Sequence, residues 1–278
     1  MNNETYSYKY PHPALTADCV IFGFDGIGLK VLLIERGVEP FKGMWALPGG
    51  FMRINETIEQ AARRELAEET GLRHIYMEQF KVFSDVNRDP RERVVTVAFM
   101  ALVRPSDYRL IAGDDAVAAL WFDENALPPL AFDHMEIILQ AREHLKEVLR
   151  IKPVAFELLN KVFSLSELQK VYEVINRTHY DRRNFQRKAL QTGMLQEVDR
   201  LDVPLSLSAE MSTAMSDTYF SPDDKEKDIF FGQSIKKSSS ARRSTGRPTS
   251  KLFSFMRKKK DDEEDEKGES STRDIFDY

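Results

Sequence analysis

The 278-residue sequence has few cysteines, no long apolar run and little excess charge. Its single cysteine, Cys19, excludes an intramolecular disulfide framework and favours a reducing compartment. The longest apolar stretch, near residues 94–103, is well short of the roughly 18 residues that a membrane helix needs. The first residues show no signal-peptide pattern, so we expect a cytoplasmic protein that makes no membrane contact. A net charge of −5 argues against a uniformly basic nucleic-acid binder.

The composition is that of a globular protein, with 42% hydrophobic and 10% aromatic residues. Between residue 16 and about residue 150, β-rich runs are interleaved with helical patterns at 55–70 and 132–149, which predicts an α+β domain. Three short stretches with helical character follow between 153 and 191. Ser164 with Glu167 forms a capping-box pattern, and Asp181 is a good N-cap.

The composition changes again after Leu201, where the sequence becomes rich in Ser, Thr and Asp. Residues 231–260 carry ten Lys or Arg and no Asp or Glu, and residues 261–278 carry nine acidic against two basic residues. We therefore predict a low-complexity C-terminal region, with a flexible insertion at 202–244 and an acidic disordered tail at 261–278.

Carboxylates lie on the apolar face of the helix predicted near residues 55–70. On a helical wheel, Glu65 and Glu69 fall within the apolar arc and Glu68 falls beside it. Ionised carboxylates against an apolar face are costly unless a cation compensates them, and oxygen ligands at this spacing suit Mg²⁺ or Mn²⁺. The alternative is that these glutamates pair with Arg63, Arg64 or Lys42. The spacing alone does not separate the two interpretations.

The segment resembles the Nudix box, G-x5-E-x7-R-E-U-x-E-E-x-G-U, where U is aliphatic. All nine specified positions match: Gly50, Glu56, Arg64, Glu65, Leu66, Glu68, Glu69, Gly71 and Leu72. The preceding GMWALPGGF (43–51) is the usual entry to this box. One departure lies outside the box definition, where the common Glu-x-Gly-Glu lead-in reads Arg53-Ile54-Asn55-Glu56.

The Nudix resemblance implies an α/β/α sandwich and hydrolysis of a nucleoside diphosphate linked to another group. It implies a metal site formed by Glu65, Glu68, Glu69 and the carbonyl of Gly49, with Mg²⁺ or Mn²⁺ as cofactor. Arg64 and Glu56 would brace these glutamates, and Arg64 would take part with them in catalysis. Many Nudix enzymes take a further base from a later loop, for which Asp114, Asp115 and Glu124 are candidates.

A second resemblance rests on MEQF (77–80), VNRDPRERVVTVAFMAL (86–102) and LAFDHMEIILQAREHL (130–145). These segments are similar to the NrtR branch of the superfamily, where a Nudix domain is fused to a winged-helix DNA-binding domain, as in the AraR regulators. The resemblance implies a Nudix domain at 1–150 and a winged-helix domain at 151–201. It also implies a homodimer whose Nudix pocket senses ADP-ribose or a sugar and releases DNA when the ligand binds.

Arg88, Arg91 and Arg93 cluster before a predicted strand and are candidate ligand-binding residues, because guanidinium groups suit a pyrophosphate. The alternative is a set of surface ion pairs with neighbouring acidic residues, Asp89 and Glu92. His134 follows Asp133 at a helix start. A packed histidine beside a capping aspartate is at least as good an interpretation as a catalytic pair.

The third short helix, within residues 181–193, is strongly basic. Its apolar Phe185 and Ala189 are four residues apart, which leaves the polar side chains exposed: Arg182, Arg183, Asn184, Gln186, Arg187 and Lys188. Arg and Asn near a helix N-terminus suit base readout in the DNA major groove, and Arg187 and Lys188 suit phosphates. MLQEV (194–198) could begin the wing, and residues 245–260 resemble its tip and last strand.

These features favour a ligand-responsive transcriptional regulator that binds an operator in double-stranded DNA and retains Mg²⁺-dependent hydrolysis. The alternative is a metabolic Nudix pyrophosphohydrolase of the ADP-ribose type with a C-terminal accessory domain. RNA binding is a weaker hypothesis, because residues 231–260 hold few aromatic residues that could stack on bases.

Overall fold

The computed structural model of the chain describes residues 9–105, 116–199 and 251–256. Its helices are α1 (Ile58–Thr70), α2 (His134–Ile151), α3 (Leu165–Asn176) and α4 (Arg182–Gln191). Its strands are β1 (Ala14–Phe24), β2 (Leu29–Arg36), β3 (Trp45–Ala46), β4 (Gly49–Phe51), β5 (Tyr76–Phe83), β6 (Val94–Val103), β7 (Ala116–Asp123), β8 (Val162–Ser164), β9 (Leu195–Val198) and β10 (Leu252–Phe255). In these ranges no helix is both long and apolar enough to cross a bilayer.

The first seven strands form one mixed sheet in the order β3-β2-β1-β6-β5, with β4 paired to β1 and β7 paired to β2. Strands β1 and β6 run parallel from Ala14↔Val94 to Gly23↔Val103, whereas the other pairs are antiparallel. The long parallel register makes β1 the centre of the sheet, and β4 brings the glycines of the predicted box against its first half.

Successive residues of β1 are buried on opposite faces of the sheet, as the two-residue period of a strand requires. Cys19 and Ile21 belong to the apolar cluster on the α1 side, and Val20 and Phe22 belong to the cluster on the α2 side. Helix α1 contributes Ala61, Ala62 and Leu66 to its cluster. Helix α2 contributes Ile137, Ile138, Ala141, Leu145, Val148 and Leu149 to the other. The predicted α/β/α sandwich is confirmed.

Local capping explains where three of the helices begin. The Ser164 side chain accepts from the Glu167 amide and the Glu167 carboxylate accepts from the Ser164 amide, which confirms the predicted capping box. Asp181 caps α4 by accepting from the Asn184 amide at 2.9 Å. A second capping box, of Thr57 with Gln60, starts α1 three residues later than the apolar pattern indicated.

The prediction of a helix over the first apolar stretch after Pro153 is wrong. Val154–Leu158 forms one 3-10 turn, and Val162–Ser164 forms strand β8. A short apolar run has no periodicity that separates a helix from a strand, so its tertiary partner decides. Here the partner is β10, which pairs Phe253 with Phe163.

The helices α3 and α4 pack with a three-stranded antiparallel sheet in the order β8-β10-β9, which is a winged-helix arrangement. Its central strand, β10, lies beside β9 with Phe253 opposite Glu197, although β9 ends at Val198 and β10 begins at Leu252. Phe253 is buried in the same apolar cluster as α2 and α3. The predicted insertion at 202–244 and the tail at 261–278 lie outside the described residues.

A buried arginine joins α2 to the winged-helix part of the chain. The Arg142 Nε donates to Glu124 Oε2 at 2.7 Å, and its Nη2 donates to the Val174 carbonyl at 3.0 Å. Arg177 lies 3.8 Å from the same Glu124 carboxylate. Because an incompletely paired buried charge is costly, these contacts fix α3 relative to α2 and the end of β7.

Candidate functional site

A cavity of about 780 Å³ opens beside β4 and the C-terminal half of α1. Its charged lining comprises five carboxylates, Asp18, Glu65, Glu68, Glu69 and Asp89, and five guanidinium groups, Arg36, Arg53, Arg64, Arg88 and Arg91. The fold therefore brings the three box glutamates together with two of the three predicted ligand-binding arginines. Near charge balance lets so many ionised groups share one partly buried space.

Glycines at β4 let the backbone approach the α1 carboxylates. Gly49 has φ +156, and a Cβ there would lie 2.2 Å from the Ala17 carbonyl oxygen. A Cβ on Gly50 would lie 2.4 Å from Glu65 Oε1. The Gly49 amide donates to Glu69 Oε2 at 2.8 Å. The sheet backbone therefore requires glycine at position 49, whereas a side chain at position 50 would displace the Glu65 carboxylate.

Arg64 donates hydrogen bonds to three glutamates of the Nudix box, Glu56, Glu65 and Glu68. It donates two hydrogen bonds to Glu56, at 3.0 and 2.7 Å, one to Glu65 at 2.6 Å and one to Glu68 at 3.2 Å. Hydrogen bonding to Arg64 lowers the pKa of Glu56 to about 2. The same hydrogen bond, ahead of the opposing effect of burial, raises the pKa of Arg64. The fork geometry of guanidinium allows one side chain to orient several carboxylates.

Glu69 is in a different environment from its neighbours on α1. Burial raises the pKa of Glu69 to about 8, opposed by the hydrogen bond from Gly49 and assisted by the charges of Glu65 and Asp18. Burial also raises the pKa of Glu65, even though Arg64 opposes this. Pairing with Arg64, the alternative to a metal site, is therefore present for Glu65, whereas Glu69 accepts from a backbone amide.

The donor set of this wall fits a hard divalent cation. Glu65, Glu68 and Glu69 present oxygen atoms to one cavity, and a cation would favour the ionised form of Glu69, whose pKa is raised first by burial and then by the charges of Glu65 and Asp18. Within the part of the chain that the structure describes, no three His, Cys, Asp or Glu side chains already converge as a metal-binding group. Glu65 and Glu68 accept hydrogen bonds from Arg64 instead.

Arg88 is buried and bound to two carboxylates. It donates two hydrogen bonds to Asp133, at 2.9 and 2.7 Å, and a third to Asp18 at 3.2 Å. Asp133 precedes α2 but makes no side-chain cap, because its carboxylate binds Arg88 instead. The interpretation of Asp133 as a helix cap is therefore wrong. Arg88 contributes to the cavity as part of a buried ion-pair cluster.

Arg91 and Arg93 differ in their relation to the cavity. Arg91 lines it, donates to both carboxylate oxygens of Asp89 at 3.0 and 2.7 Å, and lies over the ring of Phe51. The pair of Arg91 with Asp89 is one of the ion pairs predicted by the alternative to ligand binding. Arg93 is not among the lining residues, and its guanidinium donates to the carbonyls of Ser84 and Asp85.

His134 is a packed residue at the start of α2. Its Nδ1 accepts from the Leu47 amide at 2.9 Å, and its Nε2 lies 3.9 Å from Asp18 Oδ2. Burial lowers the pKa of His134, so the ring is neutral at pH 7 with its proton on Nε2. The histidine holds the chain segment that leads into Gly49.

Of the three candidates for an additional base, Glu124 is the one within the described residues. Glu124 is buried in the contact with Arg142 and does not line the cavity. Asp114 and Asp115 lie outside the described residues. Conversely, the sequence reasoning missed Asp18 and Arg36, which both line the cavity. An acidic residue within the apolar run of β1 was the available signal for Asp18.

Helix α4 presents its basic side chains to solvent. Arg182, Arg183, Asn184 and Arg187 are exposed, and Lys188 is half-buried. Phe185 and Ala189 are buried, with the Phe185 ring against those of Tyr172 and Tyr180 at centroid distances of 5.6 and 5.8 Å. Aromatic packing thus anchors the helix through one face and leaves the opposite face free of the core.

Comparison with known proteins agrees with this two-part architecture. The family model described as "NUDIX domain" matches residues 12–141, and that described as "NrtR DNA-binding winged helix domain" matches residues 155–204. The ADPR responsive transcriptional repressor NtrR of Acinetobacter baylyi is 34% identical over 194 residues, which is 69% of this chain and 78% of the relative. The chain therefore belongs to the NrtR family of Nudix proteins with a winged-helix DNA-binding domain.

Two further similarities bear on the separate parts. The ADP-ribose pyrophosphatase of Methanocaldococcus jannaschii is 46% identical over 129 residues, covering 46% of this chain and 73% of that protein. The crystal structure of Shewanella oneidensis NrtR complexed with a 27mer DNA superposes with a TM-score of 0.56 at 34% identity, covering 67% of this chain and 89% of that one. The resemblance to the NrtR branch predicted from the residues is confirmed.

The raised pKa of Glu69 predicts that the free energy of unfolding of the metal-free protein depends on pH. A glutamate with the ordinary pKa of 4.5 in the unfolded chain has a pKa of about 8 in the folded protein. The folded state therefore binds this proton more tightly, and the resulting stability, complete below pH 4.5, is lost as the pH rises through 8. We expect the free energy of unfolding, measured in urea with a chelator, to fall as the pH rises from 4.5 to about 8.

The variant Glu69→Gln should remove this part of the pH dependence, because glutamine does not ionise. Glu68→Gln is the matched control, since Glu68 is exposed on the same helix. If the free energy of unfolding falls with pH equally in the wild type and in Glu69→Gln, the assignment of the proton to Glu69 is contradicted.

Proposed function

We propose that the chain is an ADP-ribose-responsive transcriptional repressor, in which the Nudix cavity is the sensor and the winged helix binds operator DNA. The observation that carries the proposal is the exposed basic face of α4 in a winged-helix fold that shares an apolar cluster with the Nudix sheet. The relatives support this: one is named as an ADPR responsive repressor, and another was crystallised with a 27mer DNA.

In the proposed complex, α4 is the recognition helix. Arg182, Arg183 and Asn184 occupy its first turn, where side chains reach base edges in the major groove. Arg187 and Lys188 follow one turn later and would contact phosphates. We extend the proposal to a homodimer, because two copies related by a two-fold axis would place two such helices on the half-sites of a palindromic operator.

Substitutions in α4 should separate base readout from phosphate contact. We expect Arg183→Ala to weaken binding to the operator by roughly 1–3 kcal/mol and to relax the preference for one base. Lys188→Ala should weaken all DNA sequences similarly and reduce the salt dependence, because a phosphate contact releases a counterion. Fluorescence anisotropy with operator and scrambled DNA at several salt concentrations measures both effects. If both variants bind DNA as the wild type does, the proposal that α4 is the DNA-binding helix is wrong.

The strand pairing of β9 with β10 supports the proposal that residues 202–244 are an insertion within the wing and that part of 245–260 completes it. The buried Phe253 is the clearest sign that this strand belongs to the fold. A wing interrupted by an insertion predicts different results for two shortened chains. Deleting 203–240 should leave specific DNA binding nearly intact, because shortening a loop changes the closure entropy only slightly.

Ending the chain at Leu201 should instead weaken DNA binding strongly and lower the free energy of unfolding, because it removes β10, the central strand of its sheet. The two chains are compared with the full chain by operator titration and urea unfolding. If the chain ending at Leu201 matches the full chain in both, residues 245–260 are no part of the wing.

Coupling between pocket and DNA would run through α2. Phe132 and Asp133, at its start, contact the lining arginines, and Arg142 further along binds Glu124 and the Val174 carbonyl. A ligand can shift DNA affinity only if it binds the two conformations of the protein differently. A ligand that moves the first turn of α2 would satisfy this requirement, since the same helix carries the contact to α3.

Hydrolysis of the ligand is a second activity that the intact box favours. Glu65, Glu68 and Glu69 would hold Mg²⁺ or Mn²⁺ together with the Gly49 carbonyl, and Arg64 would keep the glutamates oriented. A bound divalent cation would neutralise pyrophosphate oxygens and lower the pKa of a coordinated water. The similarity to an ADP-ribose pyrophosphatase over the Nudix domain supports this activity. A purely metabolic hydrolase remains the alternative if no DNA is bound.

One time-resolved experiment tests sensing and hydrolysis together. In a chelator, ADP-ribose should weaken operator binding by a factor of roughly 5–150, the usual range of coupling between two sites. With Mg²⁺ the wild type should release the operator and then rebind it as the ligand is cleaved. Glu69→Gln, which lacks a metal ligand, should stay released. Anisotropy follows the DNA, and chromatography follows the products.

Glu59→Gln is the control, because Glu59 is exposed on the first turn of the same helix. DNA affinity that is the same with and without ADP-ribose would refute the sensor. If the operator stays released with Mg²⁺ and no product of ADP-ribose appears, the hydrolysis proposal is refuted and the sensor proposal stands.

A further inference from the structure

Helix α4 carries four cationic side chains, Arg182, Arg183, Arg187 and Lys188, and no acidic one. The three arginines are exposed, and Arg187 donates to the Asn184 side chain at 3.3 Å. Within the part of the chain that the structure describes, neither Arg182 nor Arg183 pairs with a carboxylate. A helix face with several exposed arginines attracts any polyanion that can reach it, and DNA is one of these.

The sequence contains a polyanion of its own, the acidic segment 261–278. It begins with DDEEDE at 261–266, and in total it holds nine acidic against two basic residues. Consecutive residues of an extended chain are about 3.3–3.6 Å apart, close to the roughly 3.4 Å between phosphates along one DNA strand. The run 261–266 therefore has a charge spacing similar to that of the strand that α4 is proposed to bind. The two family models match residues 12–141 and 155–204, so the acidic segment is additional to both.

The strand that leads to the acidic segment lies close to α4. The Met256 amide, directly after β10, donates to the Met194 carbonyl at 2.9 Å, and Met194 is three residues beyond Gln191, the last residue of α4. A helix of 10 residues is about 15 Å long, so all of α4 lies within about 30 Å of Met256. Residues 257–266 can span up to about 35 Å. The carboxylates at 261–266 can therefore reach every turn of α4.

We propose that the acidic segment binds the basic face of α4 in the absence of DNA and has to be displaced when DNA binds. This inference rests on the proposed DNA-binding role of α4 and adds a competitor from the same chain. Because the competitor is tethered, it acts at a high effective concentration even though each exposed ion pair is weak. It lowers the affinity for all DNA by the same factor, so the occupancy of weak non-specific sites falls while a tightly bound operator stays occupied.

Partial neutralisation of the acidic segment in the full chain tests this competition. The triple variant Glu263→Gln, Glu264→Gln, Glu266→Gln removes three negative charges. We expect it to bind a labelled DNA duplex of scrambled sequence roughly 3–30-fold more tightly than the wild type at low salt, the equivalent of a few exposed ion pairs. The ratio of the two affinities should approach one as the salt concentration rises, because salt screens exposed charges.

The triple variant Glu59→Gln, Glu92→Gln, Glu147→Gln is the matched control, because it changes the net charge equally at exposed positions elsewhere in the chain. It should change the DNA affinity much less. If the two triple variants bind the duplex with equal affinity, any gain comes from net charge alone and the inference is overturned, while the proposed function of α4 stands. A wild type that binds no duplex at any salt concentration would contradict the DNA-binding function, and the inference with it.

Cross-linking in the full chain tests where the acidic segment binds. Cys19 is fully buried and burial raises the pKa of its thiol, so a maleimide should label only the thiol introduced by Ser270→Cys. A photo-cross-linker attached there should capture residues 181–193 in the free protein, as mapped by mass spectrometry, and this product should disappear when duplex DNA is added. Cross-links that reach only residues 231–260, the other basic part of the sequence, would overturn the inference.

Discussion

Helix α2 is buried on two sides, and both candidate sites depend on that burial. One side packs on the Nudix sheet through residues such as Ile137 and Ala141, and the apolar cluster continues into the winged helix as far as Phe185 and Phe253. Full burial of each large apolar side chain, such as Ile137, Phe185 or Phe253, contributes on the order of 1.5–3 kcal/mol, so the two parts are held as one packed unit. A change at the first turn of α2 can therefore reach the contact that Arg142 makes with α3.

The cavity is governed by charge balance rather than by apolar contact. Arg64 pairs with Glu56 and also donates hydrogen bonds to Glu65 and Glu68. Arg88 lies between Asp133 and Asp18. Glu69 accepts from the Gly49 amide and Arg36 donates to the carbonyls of Pro40 and Val38, and the charges of these two groups partly offset each other. The carboxylates of α1 have the charge and hardness that suit a divalent cation.

The local parts of this arrangement could be predicted from the sequence. The Nudix box has fixed spacing because its glutamates and Arg64 lie on consecutive turns of one helix, and Gly49 and Gly50 precede it closely. The capping signals at Ser164 and Asp181 depend on residues three positions apart, so they too were predicted correctly. The basic helix was predicted for the same reason, since Phe185 and Ala189 define its buried face within a single turn.

Predictions that depended on distant partners were less successful. Glu124 was a candidate base, yet it is buried against Arg142, because the end of β7 packs on α2 rather than on the cavity. Asp133 was interpreted as a cap, yet its carboxylate binds Arg88, which is 45 positions earlier in the chain. Arg36 was missed altogether, because a single arginine at the end of a strand has no sequence pattern of its own.

The sequence by itself thus determined helices α1 to α4, the box, the family resemblance and the exposed basic face of α4. All of these follow from spacing within about two helical turns, where backbone geometry fixes which side chains are neighbours. Only the tertiary structure decided which charges of the cavity are paired with each other and which helix connects the pocket to the winged helix. Those properties arise where β1, β2, α1 and α2 meet, and no local pattern encodes a contact between residues so far apart in the chain.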